Sequence, residues 1–566
     1  MSENNGAHGE SGATDDIDNT TGAGNAPNGA GNAGGVPVGA ASTDASLESR
    51  AKTAKQGFNW WVVAVIAIIA VVAVVLGVTL FKPKSDAGGN AAADSGSSAG
   101  TVTIGLKLAP TNLDIRNQSG SSLDQVLIGN VYEGLVARDS DNQVVPAIAK
   151  SWDESSDGLT YTFHLNSGMT FSNGDALTAE DVVWSINDLI KNQYHDADSL
   201  SMVKSVEAQG DDTVVLTLKT PNANLLWTLT GRPGLVLDKD AKYDAKTEAI
   251  GSGPYTVSKF VTNDSITFKA NSKYWGKNKA KTGTVVVKYF ADDNAAVNAL
   301  KSGSVQVLAP ISPNLSSSLD SAKFTVKAGD DTDKYVMAFN STGAKTSDKR
   351  VRQAIRYAIN HDELIASRGG ADTALGGPIP SLDPGYEDLT GLYPYDLDKA
   401  KSLMAEAGYS ESKPLELRLT YANTYGTELG DQLRSQLAKI GIDLKVNVVE
   451  FSTWLQDVYT NKDYDISLVD HNESHDFYQW ATPDYYYNYD NAEVQKLYQQ
   501  AIASTSDKTR DELLAKAAKI VSEDAPADWL FNYRVTTAWA NGVTGFPVNL
   551  NQTLLPLYNL AYTPAK

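Results

Sequence analysis

The feature that most constrains this chain is an uninterrupted apolar run at residues 60–81, WWVVAVIAIIAVVAVVLGVTLF. As a helix, this charge-free run would extend roughly 33 Å, which is enough to cross the hydrocarbon core of a bilayer. A secretory signal has a shorter apolar region followed by a cleavage site, whereas Lys82 and Lys84 follow this run directly. We therefore predict a transmembrane anchor over residues 57–84. Cleavage near Ala91–Ala93 and a buried core helix are the alternatives.

The segments that flank the apolar run predict its orientation. Arg50, Lys52 and Lys55 precede the run against two lysines after it, so the positive-inside rule favours a cytoplasmic N-terminus. Residues 1–56 are rich in Gly, Asn, Ala and Ser and have few apolar side chains, which predicts a disordered cytoplasmic tail. Residues 85–100 have the composition of a flexible tether. We expect a single-pass protein of the cell membrane with its main body on the extracellular side.

Composition excludes several classes of function. The 48 basic residues against 68 acidic residues give a net charge of −20, which argues against a nucleic-acid partner because phosphate binding needs clustered basic surface. The chain has no cysteine, so disulfides, thiolate metal sites, Fe–S clusters and a cysteine nucleophile are all excluded. A lipid-modified cysteine cannot anchor this protein either.

Beyond residue 100 the pattern of elements changes along the chain. The first part is rich in predicted strands, with a capping box at Thr178 that starts one helix. From Asp348, which caps a further helix, strands and helices alternate through the strands 443–449 and 465–469. Such alternation predicts a separate α/β domain with ligands at the strand ends. The polar stretch DHNESHDFYQW, residues 470–480, begins where the second of these strands ends.

Nine ordered blocks of sequence closely resemble the family 5 extracellular solute-binding proteins, the peptide/nickel class of receptors that feed ABC importers. The resemblance covers essentially residues 101–566, and it departs from the family pattern at Asn166, where Lys or Arg is usual. The blocks are NVYEGL (130–135), AKSWDESSDGLTYTFHLNSGMTFSNGDALTAEDVVWSI (149–186), IGSGPYTV (250–257), NSKYWG (271–276), ALKSGSVQVL (299–308), AFN (338–340), DKRVRQAIRYAINHDELI (348–365), YDLDKAKSLMAEAGY (395–409) and LRSQLAKIGIDLKV (433–446).

The resemblance implies an α/β fold, a two-lobed periplasmic-binding-protein-like clamshell of type II and the large peptide-binding class, here preceded by one transmembrane helix. Ligand would be enclosed between the lobes by a hinge motion. The implied division is lobe one at 101–340 with 531–566, carrying a subdomain at about 145–250, and lobe two at 341–530, with hinge strands near Val336–Asn340 and Phe531–Arg534.

The sequence contains no motif of a catalytic or cofactor site. The H-E-x-x-H, G-x-S-x-G and Walker A patterns are absent, so we predict neither an enzyme nor a cofactor. His471 and His475 are four residues apart and could share a metal only in a helix, yet their segment directly follows a strand. We therefore expect polar loop residues there and no metal site.

The resemblance also implies where ligand binds. In peptide-binding members an acid in the loop after this strand pairs with the ligand α-amino group, and Glu473 or Asp476 matches that acid by position. Plain packing or solvation is the alternative for each of these residues. The complete set of predicted ligand-binding residues is Glu473, Asp476, His471, Asn472, Trp454, Gln118, Ser119, Tyr194 and Trp480.

The implied partners are a peptide or other small polar ligand and the permease subunits of an ABC importer, with the receptor itself a monomer. Within the family the ligand could instead be a nickel chelate, an oligosaccharide or an opine-like compound. A surface receptor or chaperone without a transport role is a further alternative.

Overall fold

The computed structural model describes residues 100–118 and 120–564. The predicted tail and anchor, nearly all of the predicted tether, and Ser119 lie outside the described residues. Within the described part of the chain, no helix is both long and apolar enough to span a membrane.

Three main sheets of seven, five and four strands organise the described residues. The seven-stranded sheet consists, in spatial order, of Phe324–Gly329, Val535–Ala540, Val307–Leu308, Thr101–Leu106, Thr284–Tyr289, Ser265–Ala270 and Tyr255–Val261. The five-stranded sheet consists of Ile442–Val449, Leu415–Ala422, Ile466–His471, Lys334–Phe339 and Ala527–Asn532. The four-stranded sheet consists of Ala149–Glu154, Thr160–Leu165, Thr213–Leu218 and Val203–Ala208. Two short ribbons pair Val136–Arg138 with Val144–Pro146, and Val543–Thr544 with Ala561–Tyr562.

Helices connect and cover these sheets. The α-helices are Ser121–Leu127, Ala179–Asn192, Leu225–Thr228, Asp293–Lys301, Pro313–Ser316, Lys349–Ala358, His361–Ser367, Leu397–Glu406, Glu428–Ala438, Phe451–Trp454, Tyr478–Ala481, Ala492–Ile502 and Asp507–Asp524. Single turns of tighter helix lie at Ala197–Leu200, Arg232–Gly234, Thr390–Leu392 and Asn423–Tyr425, and a π-helical turn at Leu455–Thr460. The predicted cap Asp348 is confirmed, because its carboxylate accepts the Arg350 N–H at 2.9 Å.

The five-stranded sheet is buried on both faces. Its first three strands run parallel, and the strand Lys334–Phe339 pairs antiparallel with the strands on either side of it. One face packs against the helices Lys349–Ala358, Leu397–Glu406 and Glu428–Ala438. The other face packs against the helices Ala492–Ile502 and Asp507–Asp524. This is the predicted α/β layering. It determines where the strand Ile466–His471 ends and so where the stretch 470–480 begins.

The chain passes between the seven-stranded and five-stranded sheets twice within the described residues. The first passage lies between Gly329 and Lys334, and the second between Asn532 and Val535. We call the part that holds the seven- and four-stranded sheets lobe one, and the part that holds the five-stranded sheet lobe two.

The two passages compare differently with the predicted hinge strands. The second lies within the predicted range Phe531–Arg534. The first comes before the predicted range Val336–Asn340, because the strand Lys334–Phe339 already pairs within the sheet of lobe two. Lobe two therefore begins near residue 334 in the structure, and the predicted boundary at 340/341 lies a strand too late.

Candidate functional site

The end of strand Ile466–His471 directs neighbouring side chains to opposite faces of the sheet. Asp470 lies in register with Tyr335 on one face. His471 faces the other way, where its Nε2 lies 2.8 Å from the Tyr487 hydroxyl. Burial lowers the pKa of His471 to about 3. This imidazole is therefore neutral and part of a polar core network.

Lys334 fastens the 470–480 loop to the first passage between the lobes. Its side chain is almost wholly buried, and Nζ lies 3.1 Å from the Asp476 carboxylate. The same ammonium donates to the backbone carbonyls of Glu473 at 2.8 Å and Thr332 at 3.1 Å. Burial raises the pKa of Asp476 to about 7, against the lowering effect of Lys334. Asp476 thus has an internal cation as its partner, which corrects the expectation that its carboxylate faces a ligand ammonium.

Glu473 and Asn472 lie between these two anchored residues. The Glu473 carboxylate accepts the Tyr478 hydroxyl at 3.4 Å, and burial raises the pKa of this acid. The Asn472 carbonyl accepts the Thr332 hydroxyl at 3.3 Å. Both residues therefore lie beside the passage between the lobes, and their ligand-binding roles stay predictions.

Asp383 holds the turn at the centre of this loop. Its carboxylate accepts the Ser474 hydroxyl at 2.5 Å and the His475 N–H at 2.9 Å. His475 has a φ of 58°, the left-handed region that few non-glycine residues adopt. Two hydrogen bonds to one carboxylate stabilise that conformation. The two histidines of the stretch are thereby directed into different surroundings and do not form a metal pair.

Lobe one contacts this turn directly. The Asn142 side chain is buried and donates to the Ser474 hydroxyl at 2.8 Å and to the Asp383 carboxylate at 3.1 Å. The Trp227 ring stacks on the His475 ring, with centroids 4.5 Å apart and planes at 27°. The structure therefore shows the lobes in contact across the cleft. Asn142, Trp227, Asp383 and Lys334 were not identified from the sequence, where His475 was expected only to be a polar loop residue.

The two predicted tryptophans pack in the core of lobe two. Trp454 is inaccessible to solvent, and its indole N–H donates to the Ser467 hydroxyl at 2.9 Å. Trp480 stacks on Tyr487 with centroids 4.2 Å apart. Packing, the alternative considered for Trp454, describes both residues, since neither has free surface for a ligand in this conformation.

The residues predicted from lobe one have contacts within that lobe. The Gln118 side-chain oxygen accepts the Asn112 N–H at 2.9 Å, and its carbonyl accepts the Arg232 guanidinium. The Tyr194 ring lies under the Arg116 guanidinium at 5.6 Å. Ser119 is outside the described residues. The ligand-binding roles of all three stay predictions.

An acidic group beside the first passage was also missed. Asp331 and Asp333 lie in the link before Lys334, and they interact electrostatically with each other and with Asp470. Burial raises the pKa of Asp331 to about 6 and that of Asp470 to about 7. The signal in the sequence is the acid-rich run GDDTDK, residues 329–334, directly before a strand. Across the described residues, no group of three His, Cys, Asp or Glu side chains is placed to hold a metal ion.

The family follows from comparison with known proteins. A model of the bacterial extracellular solute-binding proteins, family 5, middle part, matches residues 143–493. The chain belongs to this family. The resemblance seen in the sequence is therefore confirmed, and the family is one of solute-binding receptors.

Individual relatives agree with this assignment. The chain is 27% identical to the glutathione-binding protein GsiB of Pectobacterium atrosepticum, over 76% of this chain and 88% of that protein. Its structure resembles the ABC transporter substrate-binding protein CtaP of Listeria monocytogenes, with a TM-score of 0.74 and 23% identity, over 83% of this chain and all of that one. It also resembles the oligopeptide-binding protein AppA of Bacillus subtilis in complex with a nonapeptide, with a TM-score of 0.66 and 21% identity, over 82% of this chain and 99% of that one. These likenesses confirm the two-lobed α/β fold.

Proposed function

We propose that this protein is a cell-surface receptor that encloses peptides between its lobes and delivers them to an ABC importer. The observation that carries this proposal is the contact of Asn142 with Asp383 and Ser474 across the cleft. Such a contact exists only when the lobes are together, and the two short passages between the sheets allow them to separate by rotation about a hinge. The arrangement supports a receptor role and needs no catalytic group.

A peptide is the ligand class that the surroundings of the cleft favour. GsiB is named for binding glutathione, which is a tripeptide, and AppA was solved with a nonapeptide. The cleft edge of lobe two carries buried carboxylates and tyrosine rings, groups that suit the amide and ammonium donors of a peptide. A nickel chelate bound through protein side chains finds no matching group among the described residues.

The decisive experiment is mass spectrometry of whatever co-purifies with the full-length protein from its native cells. We expect peptides, released when the protein is denatured. The matched control is the variant Asn142→Ala with Trp227→Ala, which removes the contact across the cleft and should carry less ligand. Recovery of an oligosaccharide or a metal chelate instead of peptides would contradict the peptide assignment.

We further propose that residues 60–81 hold the receptor at the outer face of the cell membrane. The support is the length of this charge-free run, the two lysines that follow it and the absence of a cysteine for lipid attachment. N-terminal sequencing of the membrane-extracted protein tests the anchor. A mature protein that starts near residue 90 would contradict it.

A further inference from the structure

Three carboxylates interact electrostatically where the first passage between the lobes reaches the sheet of lobe two. Asp331 and Asp333 lie in the link itself, and Asp470 lies on the adjacent strand in register with Tyr335. Asp333 interacts electrostatically with both of the other acids. The group lies at the hinge side of the cleft, beside the loop that lobe one contacts.

Each of the three carboxylates has a buried oxygen without a hydrogen-bond partner. These atoms are Oδ2 of Asp331, Oδ1 of Asp333 and Oδ1 of Asp470. Asp331 is 0% exposed and Asp333 is 6% exposed, so water does not solvate these two side chains freely. A buried acceptor that is left unpaired is costly, and a buried charge more so. Three such atoms in one group indicate a missing donor.

The nearby cations of the protein do not supply that donor. Three basic side chains approach the acids, but each makes its hydrogen bonds elsewhere. Lys334 donates to Asp476, Arg368 to Asp372, and Arg138 to Asn142. The three buried oxygens therefore receive no hydrogen bond from these cations, which is unfavourable for buried acceptors.

Tyrosine rings surround the same acids. Tyr335, Tyr425 and Tyr533 all interact electrostatically with Asp470. The Tyr335 ring lies 5.8 Å from that of Tyr425 and 6.3 Å from that of Tyr533. The guanidinium of Arg368 already lies over two of these rings, 4.9 Å from the centroid of Tyr335 and 5.8 Å from that of Tyr533, so an internal cation uses these aromatic faces and the free carboxylate oxygens alone point to a further donor.

We infer that Asp331, Asp333 and Asp470 bind a cationic group of the ligand, so that this receptor prefers peptides with a lysine or arginine side chain. The inference rests on the proposed receptor function and adds the charge of the ligand to it. Ammonium and guanidinium groups carry several N–H donors, which match the three free oxygens. A metal ion is not the cation chosen, because no group among the described residues is placed to coordinate one. A basic side chain adds N–H donors to those of the α-ammonium, so that more of the three oxygens can be satisfied.

Calorimetry with the full-length protein in detergent tests the inference. The probes are Ala-Lys-Ala and its neutral counterpart Ala-Gln-Ala, each with a free and an acetylated N-terminus, and agmatine as a cation that is not a peptide. We expect the lysine peptide to bind more tightly than the glutamine peptide. Asp333→Asn keeps the side-chain shape but replaces a carboxyl oxygen by an amide nitrogen, which cannot accept from the ligand, and it should reduce that preference at least about 30-fold. Asp470→Asn is the second variant, in case the first does not fold.

Glu133→Gln is the matched control. This buried acid of lobe one also has its pKa raised to about 7 by burial, but the hydroxyls of Ser252 and Tyr274 satisfy its oxygens at 2.8 and 2.7 Å. Its substitution should leave the preference for lysine unchanged. The acetylated probes separate the two sources of positive charge. A preference for lysine that persists after acetylation assigns the acids to the side chain. Equal binding of the lysine and glutamine peptides, weakened for both by acetylation and by Asp333→Asn, assigns the acids to the α-ammonium and overturns the side-chain assignment.

The results distinguish this inference from the proposed function. Peptides that bind without regard to charge, or a preference that survives both aspartate substitutions, overturn the inference and leave the peptide receptor intact. Agmatine that binds in an aspartate-dependent manner, with no peptide bound, supports the acidic cation site and contradicts the peptide assignment. Absence of binding by every cationic probe at millimolar concentration overturns the inference.

Discussion

Lys334 and Asp476 form an ion pair whose two side chains are 2% and 4% exposed. Removing one member of a buried pair leaves the other charge unpaired and is strongly destabilising. We therefore predict that Lys334→Met lowers the free energy of unfolding by about 3–5 kcal/mol. Urea denaturation followed by tryptophan fluorescence measures the change.

The double variant Lys334→Met with Asp476→Leu is the control for this prediction. It removes both charges together, so part of the lost stability should return. The carbonyls of Glu473 and Thr332 still lose their ammonium donor, and full recovery is not expected. A single variant as stable as the parent would show that Lys334 does not hold the loop.

The buried acids give a second prediction at the residue scale. Burial raises the pKa values of Asp331 and Asp470 above those of an unfolded chain, so the folded protein binds their protons more tightly. Stability therefore falls as the pH rises from about 4 to about 7 through these groups, by up to about 1.4 kcal/mol per pH unit for each full proton. The charged neighbours of Asp470 are Arg368, Lys334, Asp331, Asp333 and Asp372.

Asp470→Asn isolates this effect, because the other titrating groups remain the same. We predict that the variant gains stability relative to the parent at pH 8 and gains less at pH 5. Urea denaturation of both proteins at the two pH values gives the comparison. An equal difference at both pH values would mean that Asp470 has an ordinary pKa.

At the scale of elements, the stability of the helix Ala179–Asn192 depends on the capping box at its N-terminus. The Asp181 carboxylate accepts the Thr178 N–H at 2.9 Å and the Thr178 hydroxyl at 3.1 Å. We predict that Thr178→Ala destabilises the protein by about 1 kcal/mol, the usual effect of losing a cap. Thr178→Ser keeps the hydroxyl and should be close to the parent in urea denaturation. If Thr178→Ser lowered the free energy of unfolding as much as Thr178→Ala, the destabilisation would come from loss of the methyl group.

Elements such as this helix could be predicted because their signals are local. The Thr178 capping box and the cap Asp348 are each recognised within a few residues, and both start helices in the structure. The strand before the 470–480 loop was predicted to end at residue 469, but it continues to His471. Its last two residues are polar, and only pairing with the strand at Lys334 makes them part of the sheet.

The geometry of the candidate site could not be predicted in this way, because its partners are distant in sequence. Asn142 and Ser474 are 332 positions apart, and Lys334 meets the Glu473 carbonyl across 139 positions. Family resemblance indicates this loop as a ligand-binding segment, which stays a prediction, but it could not show that Asp476 has a partner of its own. Asp331 and Asp333 belong to the candidate site because the first passage enters lobe two at Lys334. The sequence placed that boundary several residues too late.

At the scale of the whole molecule, these contacts describe a closed cleft. Lobe one reaches lobe two through Asn142, which donates to a hydroxyl and to a carboxylate. Closure brings the two lobes together over the same loop that Lys334 fixes in lobe two. A ligand stabilises this state only if it binds the closed form better than the open form.

We predict that a bound peptide reduces the radius of gyration of the full-length protein in small-angle scattering, and that Asn142→Ala weakens both compaction and binding. Two hydrogen bonds, one of them to a carboxylate, together contribute about 2–3 kcal/mol to the closed state, so the affinity should fall at least about 30-fold. Asn192→Ala, on the exposed end of a lobe-one helix, is the matched control and should behave like the parent. An unchanged radius in a sample that calorimetry shows to be saturated would contradict hinge closure, because binding would then occur without bringing Asn142 to Asp383.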